Sequence, residues 1–233
     1  MPYTARKHFD EDIARALAIH AEARAAANRS DVALDLARSA IVMAVGALDA
    51  YLCDAFIDLV ARTLKHARDL NVAVPAYGSL AMPVGPLFGA YQQRANWGLR
   101  MSARALMEKD NMLRVSRIKD AVNPGLTSGH KLWEDVIVDY ITLDRKRLTR
   151  IRSWEYHNLT GSRKSKARKA AAKQLLKRVG KIVQRRHDIV HNCDRPRSVP
   201  QRLTVAAAKS MVADVHDFVS ILDDHIDRHR AYP

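Results

Sequence analysis

The stretch Leu175–Cys193, LLKRVGKIVQRRHDIVHNC, constrains the fold more than any other. Read as a helix, its apolar residues follow the 3–4 spacing of a core-facing stripe: Leu175, Leu176, Val179, Ile182, Val183, Ile189, Val190 and Cys193. The stripe position after Ile182 and Val183 calls for an apolar residue and holds Arg186. A guanidinium among apolar neighbours is costly unless a partner satisfies it. His191 follows five residues on, so the stripe carries an Arg-x4-His pair. The helix must therefore pack in a core and present chemistry at one end.

The rest of the chain can supply that core. Of 233 residues, 48% are hydrophobic, enough for a large interior without disulfide or metal staples. Glycines and prolines are few, nine and eight, and no run alternates with period two, so the fold is read as all-α. The two cysteines, Cys53 and Cys193, fall on apolar faces and read as reduced buried thiols. The first residues carry acids and no apolar targeting core, so a cytoplasmic protein is expected. The longest uncharged run, Leu70–Gln93, holds three prolines and three glycines, a poor lipid-facing helix; no membrane partner is expected.

Charge is localised. Between Arg145 and Arg186 there are sixteen Lys/Arg and one acid, Glu155. The remainder has twenty-three bases against twenty-four acids and is near neutral. One basic segment ending at Arg186 points to a polyanion, most simply nucleic acid.

In chain order, residues 10–29 read as a first helix, with His20 as a partly exposed histidine. A long helix follows over about 31–69, capped by Ser30. Its middle, Ser39–Leu48, has no charge, and the break comes at Asp49, in line with Val45, Leu52 and Phe56. A carboxylate there needs a partner, and Arg186 is the obvious one. Asp54 and Asp58 fall on another face and read as solvated. Pro75, Pro83 and Pro86 break the pattern. Helices are expected from about 86 to 107 and from 111 to 121. Asn123-Pro124-Gly125 forms a turn, and a helix over about 129–149 follows, capped by Ser128. Residues 158–165 read as a loop, 165–193 as the Arg186 helix, and 204–229 as a closing helix antiparallel to it.

Trp154, Tyr156 and His157 sit among arginines, an arrangement that can stack on single-stranded RNA. No Gly-rich phosphate loop, Cys-x-x-Cys pair or Gly-x-Ser-x-Gly elbow occurs.

The segment RRHDIVHN, Arg185–Asn192, resembles the active-site motif of the HEPN superfamily, small all-α domains many of which are ribonucleases. Arg186, His187 and His191 match that motif, although asparagine or aspartate is commoner at the His187 position. The acid in SAIVMAVGALDAYLCDAF, Asp49, resembles the family's earlier acidic position, and VADVHDFVSILDDHI resembles its closing helix. The resemblance implies one domain over residues 1–233: a four-helix-bundle core at about 31–69 and 165–230, with an inserted helical and loop elaboration at about 70–128. It is closest to bacterial HEPN proteins of toxin–antitoxin or phage-defence loci.

The resemblance further implies a homodimer through the Arg186–His191 helix. Helix geometry agrees, because five residues turn by about 500° and place the two side chains about 140° and about 7.5 Å apart. Two copies across a two-fold would gather two Arg and two His in one cleft. The activity expected is metal-independent endoribonuclease chemistry with no cofactor. His191 acts as acid or base, Arg186 offsets phosphoryl charge, Asp49 orients Arg186, and His187 assists. Arg185, Asn192, Lys181, Arg178 and Trp154 are expected RNA contacts. The rivals are a metal site from His187, His191, Asp188 and Cys193, and a module that binds nucleic acid or nucleotides without cutting. An acidic antitoxin or regulator docking on the basic segment is compatible with ribonuclease activity.

Overall fold

The structure is a computed structural model; it describes residues 4–71, 77, 97–107, 115–127, 130–194 and 201–231. The described residues form helices, joined by short turns and one isolated β-bridge, as the composition required. In chain order these are α1 (Thr4–Ala25), α2 (Ser30–Leu70), α3 (Trp97–Met107), α4 (Val115–Val122), α5 (Leu132–Thr142), α6 (Lys146–Thr149), α7 (Ser153–His157), α8 (Gly161–Asn192) and α9 (Val205–His229). The expected start at residue 86 and the Ser128 cap lie outside the described residues, as do Pro75, Pro83 and Pro86.

The chain divides into two compact units. The first comprises residues 1–51 and 136–223. Its core is built from Phe9, Ile41, Leu48 and Tyr51, with Ile137, Tyr140, Leu148, Leu175, Val179, Ile182, Val212 and Phe218. Two buried phenols are satisfied: Tyr51 donates to Asp223 at 2.8 Å, and Tyr140 donates to the Phe218 carbonyl at 2.5 Å. Burial holds the Tyr140 hydroxyl well above its ordinary range, so it remains a donor. The closing helix runs antiparallel to α8, as expected: Arg178 pairs with Asp214, while Arg185, further along α8, meets Gln201 just before α9 begins.

The second unit comprises residues 52–135 and 224–233. Leu59, Val60, Ile118, Val122 and Leu132 are buried there. The Asn123-Pro124-Gly125 turn is a single 3-10 turn. It approaches α2 so closely that any side chain at Gly125 would collide with Leu59. The C-terminal backbone is tied to the same turn, with Ala231 N–H on Gly125 and Thr127 N–H on His229.

α2 is long and apolar enough to cross a membrane by length and composition, but 61% of its most apolar window is buried in the protein, as in a core helix.

Four local expectations are corrected. His20 is buried, its Nε2 2.9 Å from the Val205 carbonyl, because α1 begins at Thr4 and packs along its length. Asp58 is 2% exposed, not solvated, and forms an ion pair with Arg100. The 129–149 helix ends at Thr142; Asp144 and Arg150 take left-handed backbone around the single turn of α6. The loop expected over 158–165 is confined to 158–160: α8 starts at Gly161, whose φ of +52° turns the chain out of extended Thr160. The Lys/Arg/Ala-rich run beyond it is strongly helix-forming.

Candidate nucleic-acid interface and active site

α8 buries Leu175, Val179 and Ile182 of the expected stripe, with Ala171 before them, whereas Leu176, Val183 and Ile189 are half-buried and Val190 and Cys193 exposed. At its C-terminal end the burial rotates. Arg185 and Asp188 are each 7% exposed, whereas Arg186 is half-buried. The fully desolvated guanidinium is therefore that of Arg185, not Arg186. It donates to Asp194 at 2.8 Å, to the Gln201 carbonyl at 3.2 Å and to the Gln201 side chain. Arg38 of α2 donates to the same Asp194 oxygen at 2.8 Å. Asp188 accepts from Gln184 at 2.9 Å and from Gln201 at 2.8 Å. The Asp188 carbonyl also receives the backbone N–H groups of Cys193 and Asp194. Both of those residues are left-handed, so the helix ends in a hydrogen-bonded cap. Sequence reasoning missed this network. Its signal was present: Asp188 and Asp194 are two acids closing a helix otherwise rich in bases.

Arg186 lies near enough to Asp49 for their charges to interact, although no ion pair or hydrogen bond joins them. Asp49 lies on α2 beside the buried Val45 and Leu52 and is half-buried, as its place next to the stripe required. Burial raises its carboxyl above the ordinary range, and the Arg186 charge pulls it partway back. On α2 the neighbouring face, Met43, Gly46 and Ala50, is exposed and uncharged.

His187 and His191 are both exposed and stand one turn apart, with ring centroids separated by 4.4 Å and planes tilted by 43°. Asn192 and Cys193 are exposed at the helix terminus. The buried thiol expected at Cys193 is thus corrected, because the left-handed cap turns that residue outward. Cys53 is half-buried. Among the described residues no three His, Cys, Asp or Glu side chains converge in a way that could hold a metal ion.

The basic segment is only partly committed to the protein's own acids: Arg150, Arg163, Arg168 and Arg186 make no ion pair among the described residues. Five of its arginines are held in ion pairs: Arg145 on Asp217, Arg147 and Arg178 on Asp214, Arg152 on Asp144, and Arg185 on Asp194. Asp214 is fully buried on α9 and receives both guanidiniums at 2.7 Å. Arg178 and Arg185, expected as RNA contacts, are thereby committed to the protein's own carboxylates. Lys181 is exposed, and Trp154 is 66% exposed on α7. Beside it in sequence, Tyr156 is buried under the Lys164 ammonium, 5.1 Å from the ring centre. Planar guanidiniums suit two-pronged carboxylate pairs; the lysines keep their charge in solvent.

The family model described as RiboL-PSP-HEPN matches residues 10–228 of this chain. No curated protein and no solved structure matches.

Proposed function

This chain belongs to the RiboL-PSP-HEPN family, and from that premise we propose that it is a metal-independent endoribonuclease acting as a homodimer. The observation that carries the reading is the end of α8. Two exposed imidazoles, His187 and His191, follow Arg186 on the same helix end, and the Arg186 charge reaches a half-buried carboxylate, Asp49.

In this reading an RNA 2′-oxygen attacks its own phosphorus. The attacking hydroxyl loses its proton to an imidazole, His191, as the new P–O bond forms. The bond to the 5′-oxygen breaks, and that oxygen takes a proton from a second imidazole. The products are a 2′,3′-cyclic phosphate and a 5′-hydroxyl. Arg186 offsets the charge that grows on the non-bridging oxygens, and Asp49 holds Arg186 in place.

Two copies supply the second imidazole. Arg186 and His191 diverge by about 140° on one helix, so a single chain converges them poorly. Val190, 45% exposed between them, and Met43, 37% exposed beside Asp49, give that side an apolar surface for a mate to cover. A toxin or defence role, restrained by an acidic partner, is the biological setting the proposal favours.

The test is cleavage of a defined RNA with chelator present, alongside sedimentation of the protein. The reading expects a dimer and cyclic-phosphate ends that persist in EDTA.

A further inference from the structure

Four lysines of the basic segment lie outside the chemistry above, and their placement is ordered. Lys166, Lys169, Lys173 and Lys177 are all exposed on α8. They follow one another at i+3, i+4 and i+4, so successive ammonium groups rise by about 4.5–6 Å along the axis. At 100° per residue they fall within about 80° of one another, and His187 and His191 fall in the same sector. None of the four makes an ion pair or hydrogen bond among the described residues. Two arginines of the same helix, Arg178 and Arg185, are turned away onto Asp214 and Asp194, whereas Arg163 and Arg168 make no ion pair among the described residues.

We propose that this ridge is an extended single-strand track that carries the RNA backbone away from the scissile phosphate, so that the enzyme binds by length on one side of the cut. The inference rests on the ribonuclease reading of the same helix end. The four lysines span about 16 Å, and the same sector continues through Gly180 and Gln184 to His187, so the path from Lys166 to His187 is about 30 Å, matching a strand of about four to six nucleotides. A duplex fits it poorly, because one straight row of cations follows one backbone. Lysine suits such a track, because a mobile point charge neutralises phosphates without reading sequence. Trp154 stands exposed on α7, which packs against α8, and supplies a stacking surface off the ridge for the far end of the strand.

The experiment compares wild type with the variant Lys166→Ala, Lys169→Ala, Lys173→Ala and Lys177→Ala combined; alanine keeps the helix. A control removes exposed charge elsewhere: Lys119→Ala, Lys131→Ala and Lys209→Ala combined. Binding is read by fluorescence anisotropy with a labelled single-stranded DNA of about twelve nucleotides, long enough to fill the track, which lacks the 2′-hydroxyl and stays uncut. The track variant should lose at least about tenfold in affinity at low salt, and its log–log salt slope should fall by about 3, four phosphates at about 0.7 each. The control variant should bind like wild type. On RNA, the track variant should lose kcat/KM on a twelve-nucleotide substrate and keep it on a dinucleotide.

Unchanged DNA binding overturns the track, as does an equal loss on long and short RNA. An equal loss in the control variant also overturns it, since net charge would then suffice. Loss of an acidic protein partner with oligonucleotide binding intact overturns it too. If wild type cuts neither RNA while the binding loss stands, the ribonuclease reading fails and the track does not.

Discussion

Arg185 and Arg186 are consecutive residues with opposite fates: the first is sealed against Asp194 at 2.8 Å, and the second is half-buried, its charge felt by Asp49 without an ion pair between them. The Asp194 carboxylate serves two guanidiniums, those of Arg185 and Arg38, and is itself 1% exposed. Removing it as Asp194→Ala leaves the buried Arg185 cation with only the neutral Gln201 oxygens and leaves Arg38 with the exposed Asp35. The expected cost is about 3–5 kcal/mol in urea unfolding. Because Asp194 belongs to the cap that ends α8 just after His191, cleavage should fall as well. A loss under about 1 kcal/mol would mean the pair is solvated.

Asp49 gives a pH-dependent prediction. Burial raises its carboxyl above the ordinary value of 3.8, with Arg186 opposing. The folded state then holds the proton longer than the unfolded chain. Stability from this group is fully present below pH 3.8 and is lost as pH rises through the raised native value. Asp49→Asn should therefore match wild type in thermal melts in strong acid and melt higher at neutral pH, while losing activity. A variant that melts lower at neutral pH would show that the Arg186 attraction outweighs burial.

Arg178 and Lys181 lie three residues apart on α8 and should separate structure from binding. Arg178→Ala leaves the fully buried Asp214 with Arg147 alone, at an expected cost of about 1–3 kcal/mol. Lys181→Ala is exposed and should stay within about 0.5 kcal/mol of wild type while weakening oligonucleotide binding. Denaturant melts and anisotropy on the same samples check both.

The two imidazoles should not be equivalent. His191→Ala should lower kcat by about 10²–10⁴-fold, the usual worth of a positioned proton donor or acceptor. His187→Ala should raise KM more than it lowers kcat, because its assigned part is to hold the phosphate. Steady-state kinetics on one RNA distinguish the two patterns.

Local periodicity carried much of the fold into view. The α8 stripe through Leu175, Val179 and Ile182, the closing α9 face through Val212 and Phe218, and the half-burial of Asp49 all follow from side-chain spacing within one helix. What stayed hidden depends on distant partners. Which of two adjacent arginines is desolvated was decided by where Asp194 and Gln201 come to rest, outside the helix. Asp58 is buried because Arg100 reaches it, and His20 because a carbonyl 185 residues away accepts or orients its ring. Which arginines of the basic segment are paired likewise depended on the positions of Asp214 and Asp217 on α9. The proposed site residues, Arg186 with His191 and the upstream Asp49, stood out in the sequence because Arg186 and Asp49 interrupt otherwise regular apolar patterns.

The most direct measurement is end-group analysis of a defined RNA incubated with the protein in EDTA, run beside His191→Ala and an all-DNA strand of the same sequence. Wild type should yield 2′,3′-cyclic phosphate and 5′-hydroxyl ends, with the DNA intact and the variant slowed by at least about a hundredfold. Cleavage that disappears in EDTA, persists in His191→Ala, or cuts the DNA equally would contradict the account.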